Sequence, residues 1–213
     1  MHFRQAELYN AQQLLREDAE DLLTDSALKY LAQASLTQYL PQGTGVEGQW
    51  ISRLPDTLRR QVNPLAQLMA LAPTGCELRF NLRGERARLT LRSGTVPKPN
   101  GVSAATLEVF QGAYRTAMYA LGTTPLTIDI VQPASQALLN AHSRVVGAPF
   151  DPRLTRVVLP WEAPVQLIGL EGDIEPPRPE QVPSRRLLCY GSSITHGAVA
   201  VRPTGTWAAR LAQ

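Results

Sequence analysis

Leucines at helical spacing mark the first part of the chain. From about Gln5 to Leu40 they suit one or two amphipathic helices. Thr24 offers a break with a new N-cap, because a hydroxyl accepts hydrogen bonds from the free N–H groups of a first helical turn. A second helical stretch is predicted from Pro55 to about Leu71. Asn63-Pro64 divides it, since proline is favourable at a first helical position and costly in the interior.

The period then changes from helical to alternating. Apolar and polar residues alternate from Glu77 to Arg83, and again from Ala87 to Arg92 after Gly84-Glu85. This pattern predicts a hairpin with a two-residue, glycine-first turn and one buried face. Four further short segments are strand candidates: Leu107–Phe110, Leu126–Val131, Leu154–Leu159 and Val165–Leu170. Strands at such short intervals indicate two packed antiparallel sheets.

A proline-rich segment, Glu175–Pro183, predicts a boundary. Four of its nine residues are proline, which enters neither a sheet interior nor a helix, so we expect a stiff extended linker. Leu187–Tyr190 beyond it is a continuous apolar run, typical of a strand buried on both faces of a parallel sheet. The run ends at Gly191, where the chain can turn tightly. Thr204-Gly205-Thr206 can then cap a helix that begins near Trp207.

Composition places the chain among ordinary globular proteins. Hydrophobic residues are 44% and charged residues 18%, which excludes wholesale disorder. The net charge of +3 comes from scattered arginines, and aromatic residues are 6%, so the clustered basic stripe of a nucleic-acid-binding protein is missing. No window approaches the roughly 18 apolar residues that span a bilayer, and the start lacks the apolar region of a secretory signal. We therefore expect a cytoplasmic protein without nucleic-acid or membrane partners.

Neither metal nor cofactor chemistry is indicated. Cys76 and Cys189 are far apart, and neither has a second cysteine or a histidine at metal-ligand spacing. Isolated cysteines are more often buried apolar residues than a disulfide or a redox site. No lysine follows the glycine of Gly191-Ser192-Ser193 in the manner of a P-loop. The sequence predicts no metal and no cofactor.

Ser193 follows the predicted strand at the place where α/β sheets bind ligands. Free backbone N–H groups in such a turn can stabilise the oxyanion that forms when serine attacks an ester carbonyl. A histidine base has to activate the hydroxyl. Thr195 stands where α/β-hydrolases have the second glycine of their Gly-x-Ser-x-Gly turn, so that motif does not match. A plain turn between strand and helix is the alternative for a bare Gly-x-Ser.

The longer string Tyr190-Gly191-Ser192-Ser193-Ile194-Thr195-His196-Gly197 resembles the first sequence block of the SGNH (GDSL-type) hydrolases, written Gly-Asp-Ser-(Leu or Ile)-Thr. Ser192 stands in place of the aspartate. The resemblance implies that Ser193 is the catalytic nucleophile and that its backbone N–H is one oxyanion donor. Earlier segments look like the amino-terminal jelly-roll domain of two-domain members, among them esterases and polyketide-tailoring acyltransferases: Leu54-Pro55, Gly75–Phe80, Phe150–Pro160 and Gly172–Pro179.

These observations predict a mainly β protein in four parts. Residues 1–43 form a helical segment whose role stays open, and residues 44–175 form an antiparallel, jelly-roll-like β-sandwich with helical additions. Residues 176–184 are the linker. Residues 185–213 supply the first strand and helix of an α/β SGNH domain of the flavodoxin-like, three-layer kind. The predicted function is a serine acyl-ester hydrolase or acyltransferase that acts on a small-molecule ester, with carbohydrates and polyketides among the substrate classes.

The alternative function is a carbohydrate- or ligand-binding β-sandwich without catalysis. Trp50, Trp161 and Trp207 could provide platforms on which sugars stack. Large aromatic residues in sandwiches belong more often to the core. We therefore predict that these three tryptophans are core residues.

The other site residues of the family find no match in this chain. No Asp-x-x-His occurs, since Leu139 stands three residues before His142 and Ser193 three before His196. We expect His142 in a loop or on the surface, and His196 at the mouth of the pocket or in solvent rather than acting as the base. The sequence therefore predicts an inactive fragment that ends inside the first helix of an α/β domain, short of roughly 150–200 residues.

Overall fold

The structure, a computed structural model, describes residues 1–16, 21–41, 45–96 and 104–212. The predicted boundary at residues 43 and 44 lies outside the described residues. The strands are β1 (His2–Phe3), β2 (Ala6–Tyr9), β3 (Gln13–Leu15), β4 (Gln49–Ser52), β5 (Glu77–Ser93), β6 (Ala105–Gln111), β7 (Tyr114–Leu121), β8 (Leu126–Val131), β9 (Leu154–Val158) and β10 (Val165–Glu175). The helices are α1 (Asp25–Gln33), α2 (Asp56–Arg59), α3 (Pro64–Met69), α4 (Gln136–Val146), α5 (Ser193–His196) and α6 (Trp207–Leu211).

All the strands join one hydrogen-bonded network, and every pairing is antiparallel. The main path runs β3-β4-β10-β5-β9-β6-β7, with β2 and β8 attached to β5 and β1 attached to β2. The prediction of a mainly β, antiparallel protein is confirmed. Its jelly-roll topology stays a prediction.

The predicted hairpin around Gly84-Glu85 is wrong, because Glu77–Ser93 is one continuous strand. A glycine-first hairpin turn needs a positive φ at its glycine, and Gly84 is not among the glycines with positive φ. β10 runs beside both halves of β5, from Val165 opposite Ser93 to Glu175 opposite Asn81, with a register shift near Gly84. Pairing to a distant strand therefore keeps the chain extended where the local pattern suggests a reversal.

The helix predicted from about Gln5 is also wrong in its first half, where β2 and β3 form instead. Arg4 and Asn10 have positive φ values of 56° and 63°, which place turns on both sides of β2 and break any helix. β2 pairs with β5, Glu7 opposite Arg79 and Tyr9 opposite Glu77. Pairing with the long strand β5 therefore decides the structure of this segment, and the leucine spacing that favours a helix does not.

Other local predictions are confirmed. Thr24 caps α1, its hydroxyl accepting the Ala27 N–H at 3.3 Å. Asn63 caps α3 in the same way, with Pro64 at the first helical position. The four strand candidates correspond to β6, β8, β9 and the first half of β10. The sequence did not indicate β7 or α4.

Two clusters of buried apolar residues form the interior of the described structure. The larger one takes Leu78 and Phe80 from the first half of β5 and Leu89 and Leu91 from the second. Because both halves face one core, the branched sheet encloses that core. The smaller cluster packs α1 and α3 around Trp50. Trp50 and Trp161 are both buried, so the prediction that the tryptophans are core residues is confirmed for these two and is wrong for Trp207, which is 43% exposed.

The outer face of β5 is buried as well at Glu77, Arg79 and Asn81, although it carries charged side chains there. Glu77 lies between Arg79 and Arg156, with Nε atoms at 2.8 and 2.9 Å from its Oε2. The Arg156 guanidinium lies 3.5 Å from the centroid of the Phe150 ring, and that of Arg79 lies 3.7 Å from the Tyr9 ring. Both cations thus share the Glu77 carboxylate, and each also lies over aromatic rings, which offsets the cost of burial.

The proline-rich segment after β10 is held against the sheet. It contains one short 3-10 turn, Pro179–Gln181. The amides of Asn81 and Gln181 exchange two hydrogen bonds of 2.9 and 2.8 Å, and Gln181 is fully buried. Asp151 N–H also donates to the Gln181 carbonyl at 3.0 Å. Residues 176–181 are therefore packed against the sheet, and the described residues up to Gln181 are called the β-sheet region below; the predicted linker at 176–184 stays a prediction.

Replacing Gln181 with alanine should lower the free energy of unfolding by about 1–3 kcal/mol, because the buried Asn81 Oδ1 loses its donor while Asn81 Nδ2 keeps the Pro176 carbonyl. Equilibrium unfolding in urea measures the change. The double variant Asn81→Leu plus Gln181→Leu should recover part of the loss, since both polar groups are then gone. A loss as large in the double variant as in Gln181→Ala would contradict this explanation.

Candidate active site

The serine turn, Gly191–Gly197, begins without the strand that the sequence predicts before it. Leu187–Tyr190 pairs with none of the described strands, and Leu188 and Tyr190 are 92% and 98% exposed. The prediction of a strand buried on both faces is wrong for this structure, because no described strand lies beside the segment.

Ser193 opens α5 and is exposed to solvent. Ser192 is the N-cap and makes no side-chain capping bond, so the first N–H groups of the helix have no partner within it. Glycine at position 191 leaves room for the Thr195 side chain, because a Cβ atom there would collide with Thr195 Oγ1. The turn presents a serine hydroxyl beside N–H groups, which is the local arrangement that attack on an ester requires. The catalytic role of Ser193 stays a prediction.

His196 ends α5 and faces the β-sheet region, which corrects the expectation that it lies at a pocket mouth or in solvent. Arg53 donates from Nη2 to His196 Nδ1 at 3.2 Å. His196 Nε2 lies 3.1 Å from the Trp161 carbonyl oxygen and 3.1 Å from Thr74 Oγ1. Both ring nitrogens are therefore engaged by residues of the β-sheet region, and neither is bonded to Ser193.

These partners define the protonation state of His196. A guanidinium only donates hydrogen bonds and a carbonyl only accepts them, which assigns Nδ1 as the acceptor and the proton to Nε2. Burial, followed by the positive charge of Arg53, lowers the pKa of His196 to about 4. His196 is thus a neutral side chain with a structural contact at neutral pH.

Protonation of His196 should loosen the serine turn as the pH falls. The ordinary pKa is 6.5 and the folded value about 4, so the unfolded segment takes up the proton first. The free energy with which His196 holds the serine turn on the β-sheet region should be largest above pH 6.5 and should decrease as the pH falls towards 4. Hydrogen exchange of the Ala198 amide, which donates to the Ser193 carbonyl at 2.8 Å, reports the change, with α1 amides as internal reference. A His196 that titrates at its ordinary pKa in the folded protein would contradict it.

Trp161 provides a second contact for the turn. Its indole Nε1 donates to the Ala200 carbonyl at 3.1 Å, and its ring meets the His196 ring edge-on with centroids 6.3 Å apart. Gly197 has a φ of +122°, and a Cβ atom there would come within 2.9 Å of both Trp161 and Thr206. Glycine is therefore the residue that lets the chain pass between these two side chains.

Glu108 on β6 provides a third contact further along. Its Oε2 accepts hydrogen bonds from Thr204 N–H at 2.9 Å and Thr204 Oγ1 at 2.7 Å. Glu108 Oε1 pairs with Arg115 at 2.8 Å. The predicted N-cap of α6 is confirmed, since Thr206 Oγ1 accepts the Ala209 N–H at 3.2 Å. Residues 193–206 are thus fastened to the β-sheet region by polar contacts at both ends.

The remaining histidines lie elsewhere. His142 is exposed, as expected, but on α4 instead of in a loop. Its Nδ1 lies 2.8 Å from the Tyr114 hydroxyl. Gly147 ends α4 in the left-handed conformation with a φ of 62°, and a glycine in that place is the sequence signal that could have indicated this helix. His2 lies in β1 at the start of the chain.

Three charged groups near the turn, the half-buried Arg53 and the buried Glu108 and Glu162, were not predicted from the sequence. Arg53 and Glu108 bind residues 143 and 96 positions away. Glu162 lies next to Trp161, and burial raises its pKa to about 7. A single sequence does not distinguish such residues from surface charges, because their partners are set by the fold.

Within the described ranges, no cluster of histidine, cysteine or acidic residues could hold a metal ion, and no helix has the length and apolar character to cross a membrane. Cys76 and Cys189 are both free thiols, the first buried. A shallow depression of about 720 Å³ lies beside α1, lined by Asp21, Leu23, Thr24, Asp25, Ser26 and Arg60. It contains no residue of the serine turn.

Comparison with known proteins gave matches among solved structures. A salicylyl-acyltransferase from a tetracycline biosynthetic pathway superposes with a TM-score of 0.54 and 15% identity, over 96% of this chain and 47% of that one. A Bacteroides ovatus protein assigned as a GDSL-like lipase gives 0.49 and 17%, over 76% and 46%. A family two carbohydrate esterase from Clostridium thermocellum gives 0.30 and 14%, over 49% and 26%.

No family model matches the sequence, and no curated protein does. The chain spans about half the length of the first two structures that it matches. At 15% identity, the acyltransferase match is evidence of a shared fold and of nothing finer. Nearly all of this chain therefore has the fold of a little under half of that acyltransferase.

Proposed function

We propose that this chain carries the nucleophile of an SGNH-type serine esterase or acyltransferase, and that the nucleophile is Ser193. The serine turn supports this most, because it has the first sequence block of the family and exposes Ser193 on the first turn of a helix. The fold shared with an acyltransferase over 96% of the chain adds support.

In the proposed reaction, Ser193 Oγ attacks the acyl carbonyl carbon while a base takes the hydroxyl proton. The carbonyl oxygen becomes an oxyanion, and the Ser193 backbone N–H donates to it. The bond to the leaving group then breaks, the leaving group departs with the proton, and the acyl group stays on Oγ. Water or an alcohol attacks this acyl-enzyme and releases the acid or the new ester.

The base in this mechanism is a histidine other than those described. Both ring nitrogens of His196 are engaged by Arg53, Thr74 and Trp161, and His142 contacts Tyr114. We propose that the base, its acidic partner and the further oxyanion donors belong to an α/β domain of which residue 185 is near the start. The apolar, unpaired Leu187–Tyr190 segment supports this, since further strands of that domain would cover it.

A small acyl ester is the proposed substrate class. The carbohydrate-binding alternative gains nothing from the tryptophans, because Trp50 and Trp161 are core residues and only Trp207, at 43% exposure, is accessible. Sugar recognition by stacking needs an exposed aromatic face. The β-sheet region is accordingly proposed as a support for the serine turn.

A fluorophosphonate tests the assignment, because it forms a stable covalent bond only with an activated serine. In the full gene product, we expect one adduct, located by peptide mass mapping on Ser193 and retained in Ser192→Ala. Ser192 is the matched control, being the adjacent exposed hydroxyl. An adduct on Ser192 or on a residue outside the turn, or the absence of any adduct, would refute the proposal.

A further inference from the structure

The position of Ser193 is set from one side of the turn. Before it, Leu187–Tyr190 is unpaired and exposed. After it, the Ser193 carbonyl accepts hydrogen bonds from Gly197 N–H at 3.1 Å and Ala198 N–H at 2.8 Å. His196 is the last residue of this short helix, directly before Gly197. Whatever fixes the His196 ring therefore fixes Ser193 within one helical turn.

The site that receives His196 is built independently of the turn. Arg53 Nε donates to the Ala72 carbonyl at 2.8 Å, and its Nη2 donates to the Met69 carbonyl at 3.0 Å. These bonds aim the guanidinium at the ring before His196 is bound. The Trp161 carbonyl lies on the other side of the imidazole and accepts from Nε2. A donor on one nitrogen and an acceptor on the other select one tautomer and one ring orientation.

We infer that Arg53 is a positioning residue for the nucleophile, acting with Trp161 through the neutral imidazole of His196. The inference rests on the proposed function, and it assigns the amino-terminal region a direct part in placing Ser193. Positioning matters because a displacement of about 1 Å at a reacting group can cost roughly 10²-fold in rate. Arg53 itself touches no substrate and acts only through His196.

Few charged groups act on His196. Arg53 faces it from the end of β4, Thr74 adds a hydroxyl from the loop before β5, and Trp161 adds a carbonyl from the loop after β9. The Cys76 thiol interacts with Arg53, and burial raises the pKa of that thiol to about 12, so it is neutral at physiological pH. Removal of the Arg53 charge should therefore raise the pKa of His196.

The test measures inactivation of the full gene product by a fluorophosphonate. His196→Ala and Arg53→Gln should each lower the rate constant of the bound step roughly 10²-fold while the affinity for the reagent changes little. Arg53→Lys should recover part of the rate, because it restores a donor and a charge. Thr24→Ala, which removes the distant cap of α1, is the control for general destabilisation and should react like the wild type.

A second readout separates positioning from plain stability. The pKa of His196, followed by NMR, should rise towards its ordinary 6.5 in Arg53→Gln and stay near the wild-type value in Thr24→Ala. If the wild type is labelled, and if the folded variants His196→Ala and Arg53→Gln are inactivated at the wild-type rate, the positioning role alone is overturned. An unchanged His196 pKa in Arg53→Gln would do the same. A wild type that is never labelled would overturn the proposed function and this inference together.

Discussion

Ser193→Ala in the full gene product is expected to lower kcat/KM for ester hydrolysis by roughly 10⁴-fold or more, because the residues of a nucleophile–base–acid set act as a unit and removing the nucleophile removes nearly all of their effect. Ser193 is exposed and its hydroxyl makes no hydrogen bond to a described residue. The substitution should therefore leave the fold intact, and thermal unfolding of the variant should match the wild type.

The control for this prediction is Ser135→Ala. Ser135 is exposed at the start of α4 and makes no side-chain capping bond, so it resembles Ser193 in its local setting while lying outside the serine turn. Its kcat/KM should equal that of the wild type. Ser193→Ala with more than a tenth of the wild-type kcat/KM would exclude a nucleophilic role for this hydroxyl.

Glu77→Gln is expected to lower the free energy of unfolding by about 3–5 kcal/mol, because it removes the one carboxylate between two buried arginines. Burial by itself would raise the pKa of Glu77, but Arg156 and Arg79 outweigh it and hold the pKa below its ordinary value of 4.5. The stabilisation is therefore present above that value and is lost as the pH falls through the folded pKa. Urea unfolding at neutral pH measures the loss.

Glu180→Gln is the matched control for Glu77→Gln. Glu180 also pairs with an arginine, Arg178 at 3.0 Å, but the side chains are 69% and 45% exposed. Solvent screens such a pair, so the free energy of unfolding should stay close to that of the wild type. Equal effects from the two substitutions would show that the outer face of β5 is not a low-dielectric site.

The local features of this fold could be predicted from the sequence. The caps at Thr24, Asn63 and Thr206 follow from short oxygen-bearing side chains before helical segments. Leu126–Val131 forms β8 with the predicted bounds because its alternation matches a sheet with one exposed face. In each case the cause lies within a few residues of the effect.

Features that depend on distant partners could not be predicted in this way. Gly84 suggested a turn, but β10 pairs with β5 on both sides of Gly84 and the strand is continuous. The leucine spacing near Leu8 suggested a helix, but the edge of β5 was available for pairing. Both errors come from long-range strand pairing, which a local period does not contain.

The candidate site shows the same division. The Gly191–Gly197 string was recognisable in the sequence because its residue types are needed at fixed spacing. The structural contacts of His196 were not recognisable in the sequence, since its partners Arg53 and Trp161 lie 143 and 35 positions away. Local chemistry thus identified a candidate nucleophile, while the structure identified what holds it.

The central claim is that an acyl group is transferred to Ser193 Oγ, and trapping that acyl group tests it most directly. The full gene product is mixed with an activated ester, quenched in acid within the first turnover, digested and mapped by mass spectrometry. We predict one added acyl group on the peptide containing Ser193, absent from Ser193→Ala. An acyl group on any other residue, or no adduct together with undiminished turnover by Ser193→Ala, would contradict the claim.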